Sequence, residues 1–143
     1  MNKNRIYLLG LMALFMAGCE HAKEFHYFIR NATDDELKVY VNYSISAKGT
    51  RNADTFNILP GDRERVLTHS GLGGFYTGAI EKIRFSGEDT LKQEWRNRSR
   101  AHINKHFFRR GSWQLVHQGD DREYYLFTVT SKDLKKSPQN AGY

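Results

Sequence analysis

The chain has 143 residues, 22 Lys and Arg against 16 Asp and Glu for a formal net charge of +6, and one cysteine. A lone cysteine excludes an intramolecular disulfide, and the length suits one domain with a real core. No internal repeat is visible, and the excess positive charge is local rather than spread along the chain.

At the N-terminus, Lys3 and Arg5 precede an apolar run from Ile6 to Met16 that is short for a bilayer span. The run stops at Met16-Ala17-Gly18-Cys19, which resembles the lipobox of a bacterial lipoprotein. A plain secretory signal and an uncleaved anchor are the alternatives, and neither needs a cysteine at this point. The resemblance implies that the Cys19 thiol takes a diacylglycerol, that the chain is cut before it, and that the new amine is acylated. Two or three acyl chains make a stable anchor where one is marginal. Residues 1–18 are then signal and residues 19–23 a lipidated tether. The remaining 125 residues carry 20 Lys and Arg against 16 acids, about +4.

The body of the chain has a hydrophobic period of two. Phe25, Tyr27 and Ile29 alternate with His26, Phe28 and Arg30. After the turn residues of 31–35, Leu37, Val39, Val41, Tyr43 and Ile45 alternate with polar neighbours and Tyr40, which predicts a half-exposed strand. These two runs are expected to form a hairpin. Phe56 to Leu59 meets Pro60-Gly61-Asp62, a turn sequence, and short strands follow at Arg65 to His69 and Ala79 to Phe85. Trp113 to His117 and Tyr124 to Thr130 flank a polar turn and make a second hairpin. Residues 91–108 are expected to be a short helix or ordered loop, because Leu91, Trp95, Arg98 and His102 recur at near-helical spacing in a polar stretch. Residues 135–143 read as a fraying tail.

Seven short strands without a long amphipathic helix predict an all-β fold: one antiparallel β-sandwich over residues 24–134, immunoglobulin-like or transthyretin-like, with a small β-barrel as the alternative. On these features the chain resembles the small β-sandwich lipoproteins of the Bacteroidetes envelope. The likeness is carried by the lipobox, Ile29-Arg30-Asn31-Ala32-Thr33, Ile58-Leu59-Pro60-Gly61-Asp62, and the ending from Trp113 through Tyr124-Tyr125-Leu126-Phe127-Thr128-Val129-Thr130 to Lys132-Asp133-Leu134. It implies a fold and a location, and no catalytic residue. Glu20 stands where an Asp favours inner-membrane retention in enterobacterial sorting, so the expected site is the outer membrane, on either its periplasmic or its surface face.

Motifs for chemistry are sparse. His102 and His106 share one helical face, but Ile103 occupies the place of a catalytic Glu and Lys105 and Arg109 repel a cation, so they read as solvated side chains and no metal is expected. Gly71-Leu72-Gly73-Gly74 lacks the Lys-Ser or Lys-Thr ending of a phosphate loop and reads as a bend. No Gly-x-Ser-x-Gly elbow occurs. No catalytic residue and no cofactor is therefore expected. Asp89-Thr90-Leu91 matches a short pattern for O-glycosylation in Bacteroidetes, which makes Thr90 a candidate modification site.

One charged feature stands out. Lys92, Arg96, Arg98, Arg100, Lys105, Arg109 and Arg110 face only Glu94 between residues 91 and 110, mixed with Trp95, Phe107 and Phe108. This stretch is a candidate patch for an anionic ligand, while a solvated connection between strands explains the same charge. An exported protein seldom meets nucleic acid, so lipid headgroups or acidic glycans are the expected anions. Two roles follow for a membrane-anchored, non-catalytic protein: holding an envelope protein partner through a sheet edge or loops, or capturing an anionic glycan or headgroup through residues 92–110.

Overall fold

The computed structural model describes residues 22–44, 52–87, 90–97 and 105–134. Cys19, Arg98, Arg100 and His102, the expected signal and the expected tail lie outside them.

Eight strands form: β1 (Lys23–Ala32), β2 (Leu37–Tyr43), β3 (Ala53–Ile58), β4 (Arg63–Gly71), β5 (Ile80–Gly87), β6 (Thr90–Arg96), β7 (Gln114–Gln118) and β8 (Arg122–Thr130). They build two four-stranded sheets, ordered β4-β1-β8-β7 and β3-β2-β5-β6. The arrangement is a sandwich, as the alternation of apolar and polar residues implies, and the sheets do not close into a barrel.

Two expectations need correction, the β1–β2 hairpin and the helix or loop at 91–108, and the antiparallel sandwich is refined by one parallel pair. β1 and β2 form no hairpin, because they belong to opposite sheets and residues 33–36 carry the chain across. Alternation fixes which side chains point inward and leaves open which strand lies alongside. The sandwich is also not purely antiparallel, since β1 runs parallel to β8, with Tyr27 opposite Tyr125 and Ile29 opposite Phe127. The first and last strands thereby knit together in the centre of one sheet. Finally, residues 90–96 are an eighth strand and not a helix or loop. Trp95 lies opposite Ile83 and Gln93 opposite Phe85, and both are buried, so a polar residue in the inward row masked the period of two.

Between the sheets, Phe25, Tyr27, Ile29, Tyr125, Phe127 and Val129 face Leu37, Val39, Val41, Ile80, Ile83 and Phe85. Edge-to-face contacts extend this core through Trp113, Phe107 and Trp95, with ring centroids 4.9 Å apart for Phe107 and Trp113 and 5.5 Å for Trp95 and Phe127. Trp113 Nε1 donates to the Phe107 carbonyl at 2.6 Å, which satisfies its one buried donor.

Polar groups bind the two ends of the sandwich. At one end the buried Asn31 side chain donates to the carbonyls of Asp35 and Ile58 and accepts from the N–H and hydroxyl of Thr33. Its backbone bonds Gly61 and Asp62 in the turn between β3 and β4, where Gly61 adopts φ +85°. At the other end the Tyr27 hydroxyl accepts from Tyr76 N–H at 2.7 Å. Tyr125 donates to the buried Glu123 carboxylate at 2.6 Å, and burial followed by that contact pushes the Tyr125 pKa up to about 12.

Candidate functional site

With β1 and β8 in the middle of their sheet, the residues between the inward-facing positions are displayed on its outer side. Register arranges them in rows. Thr68, His26, Tyr124 and His117 form one row, and Arg65, Phe28, Leu126 and Gln114 the next. Arg63, Arg30 and Thr128 form the third. His26 packs edge-on to Tyr124 at 5.0 Å, Phe28 lies 5.9 Å from the same ring, and His117 lies 4.9 Å from it on the far side.

The third row carries the unusual chemistry. Arg30 and Arg63 are directly opposed in an antiparallel pair, a placement that repulsion disfavours. Neither has a carboxylate within ion-pairing distance among the described residues. The Arg63 guanidinium sits 5.3 Å from the centre of the Phe28 ring. Both arginines line a groove of about 440 Å³ together with Gly61, Asp62, Glu64 and Leu126. Two exposed guanidinium groups beside Leu126 can take a carboxylate or another small anion in a charge-assisted, bidentate contact, in competition with the neighbouring Asp62 and Glu64.

A second constellation lies lower on the same face. His26 Nε2 is 3.0 Å from Glu24 Oε2, and Nδ1 is 3.3 Å from Thr68 Oγ1. Hydroxyl, imidazole and carboxylate are thus in the order that activates a nucleophile. None of the three lines the groove. The cluster does link β1 to the edge strand β4.

Of the basic residues of 92–110, the side chains of Arg96, Lys105, Arg109 and Arg110 lie within the described residues. Lys92 lies on β6 with its side chain outside the described residues, as does that of Thr90, which opens the strand. Arg96 is exposed on the edge of the other sheet and pairs with Glu94 at 2.8 Å. The Lys105 ammonium donates to the Thr128 carbonyl and the Asp133 carboxylate. Arg110 stacks on Tyr125 with its guanidinium carbon 4.6 Å from the ring centre, and it donates to the Trp113 carbonyl. Arg109 precedes a short 3₁₀ turn over Arg110–Ser112. Two of the seven cations, Lys105 and Arg110, therefore act as internal fasteners.

His106 is corrected more sharply. It is 2% exposed, its Nδ1 accepts from Phe108 N–H at 3.3 Å, and its ring packs near Trp95, so it is no solvated side chain. Burial first, and then Arg109, lowers its pKa and keeps it neutral.

Sequence reasoning missed the outer face because its members come from three segments. The signal was present in the alternate positions of two strands: Phe28 and Arg30 in one, Tyr124 and Leu126 in the other are large or charged where small polar residues would suffice. Compared with known proteins, the chain matches no family model, no curated sequence and no solved structure significantly.

Proposed function

We propose that the protein is a lipid-anchored, non-catalytic component of the bacterial envelope, tethered through acylated Cys19 in the outer membrane, that holds a protein partner on the outer face of the β4-β1-β8-β7 sheet. One observation carries the reading: Arg30 and Arg63 stand opposed, neither in an ion pair among the described residues, with Arg63 over the Phe28 ring and both beside Leu126 in a groove that Asp62 and Glu64 also line. An aromatic and aliphatic centre beside arginines is the composition of interface cores. The partner has a matching chemistry, an apolar contact flanked by Asp or Glu side chains that enter between the two guanidinium groups. The alternative role, capture of an anionic glycan or headgroup through residues 92–110, is weakened by the internal contacts of Lys105 and Arg110.

A photoreactive residue placed at Gln114, beside Leu126 on this face, tests the reading in living cells. It should give a discrete protein adduct that disappears when Arg30 and Arg63 are both changed to Glu. The same probe at Thr55, which lies opposite Tyr40 on the outer side of the other sheet, should give none. An adduct from Thr55 alone, or one indifferent to the charge reversal, would remove the proposal.

A further inference from the structure

Three residues separate Cys19 from Lys23 at the start of β1, so the first strand begins within about 14 Å of the acylated residue however the link is bent. Lys23 lies opposite Gly71 at the end of β4. The loop that follows Gly71 therefore starts beside the tether. It carries Leu72, 69% exposed, and Tyr76, 45% exposed, two of the four large exposed apolar side chains of the described residues.

This loop is held firmly at its base. Phe75 packs 5.5 Å from Tyr27 and 5.4 Å from Tyr125. Tyr76 lies 4.7 Å from His69, and Gly78 passes so near that a β-carbon there would come within 2.5 Å of the Tyr76 ring. Leu72 is presented next to Gly73 and Gly74, which have open space around them. A leucine at the tip and a half-exposed tyrosine behind it match the acyl boundary and the headgroup layer respectively. Asp120 and Asp121 are at the same end on the opposite side of β1, in the turn between β7 and β8, where the Asp121 carbonyl accepts from Glu24 N–H.

We infer that Leu72 and Tyr76 enter the lipid interface beside the acylated Cys19, giving the domain a second, non-covalent foothold that fixes its orientation; the inference rests on the anchor proposed above. One leucine binds lipid weakly by itself, but the tether makes its insertion intramolecular. The orientation has a consequence for the partner. Arg30 is seven residues along β1 from Lys23, about 23 Å, so the arginine groove points away from the headgroups.

The test uses the full-length, lipidated protein in vesicles of phosphatidylethanolamine and phosphatidylglycerol. An environment-sensitive fluorophore is attached at Gly73→Cys, or at Leu59→Cys as the distal control, since Leu59 is 55% exposed at the opposite end. With spin-labelled acyl chains in the vesicles, the label at 73 should lose most of its emission while the label at 59 loses none, and Leu72→Asp should restore the emission at 73. Equal emission at both positions, in protein that carries the acyl mass and floats with the vesicles, overturns the inference alone. Protein that lacks the acyl mass and does not float overturns the anchor and the inference with it.

Discussion

The side-chain amide of Asn31 donates to the Ile58 carbonyl at 2.8 Å, joining the end of one sheet's central strand to the end of the opposite sheet's edge strand. All four hydrogen-bonding positions of this buried amide are used, two by donation to Asp35 and Ile58 and two by acceptance from Thr33. Replacing Asn31 with Ala removes the side-chain donor to the Ile58 carbonyl and the acceptor of the Thr33 N–H, while the Thr33 hydroxyl can still donate to the Asp35 carbonyl. The expected cost is about 2 to 3 kcal/mol, read as a lower urea midpoint with an unchanged slope. Asn31→Asp should cost at least as much, because an acceptor would then face the carbonyls of Asp35 and Ile58.

Lys105 and Arg96 are expected to differ although both belong to the basic stretch. Lys105→Met removes the ammonium that Thr128 and Asp133 share and should destabilise by about 1 to 3 kcal/mol. Arg96→Gln breaks a pair on the exposed strand edge and should stay within about 0.5 kcal/mol of the parent. Denaturant titration of both variants separates a structural lysine from a surface arginine.

Asp133 adds a pH signature to the Lys105 contact. Burial alone would raise its pKa, but the hydrogen bonds from Lys105 and Thr130 outweigh this and lower it below the usual 3.8. The folded state holds its proton less tightly than the unfolded chain, so the contribution is present above the ordinary carboxylate value and is lost as pH falls through the folded one. Asp133→Asn should therefore be less stable than the parent at neutral pH, and the two should converge in acid.

His106 acts in the same direction at higher pH. Its folded pKa lies below the ordinary 6.5, so below that value the unfolded chain binds more protons than the folded one. Stability should fall as pH drops from 6.5 toward the folded value, by at most about 1.4 kcal/mol per pH unit. His106→Gln should flatten this part of the stability curve. An unaltered slope in the variant would assign the effect to another group.

Much of the sandwich was legible because inward residues on β1, β2 and β8 recur at every second position without interruption. Pairing was not legible. Nothing in the row Phe25, Tyr27, Ile29 distinguishes an antiparallel neighbour from the parallel β8, since the side-chain period is the same for both. β6 escaped because Gln93 stands in its inward row between two residues whose flanks are charged, leaving the buried Trp95 as its one strong marker. The candidate face escaped for a different reason. Arg30 and Arg63 are far apart in the chain, and their opposition depends on a β1·β4 register that includes a bulge between Tyr27 and Phe28. A charge count along the sequence instead singled out residues 92–110, where Lys105 and Arg110 are engaged in internal contacts.

The opposed pair Arg30 and Arg63 is proposed to hold an acidic side chain of a protein partner. Calorimetric titration of the partner identified by cross-linking, against the parent and the Arg30→Glu, Arg63→Glu double variant, tests it most directly. Loss of two charge-assisted contacts should weaken binding about 100-fold or more, and added salt should weaken the parent complex but not the residual one. Equal affinities for a variant that remains folded would contradict the account.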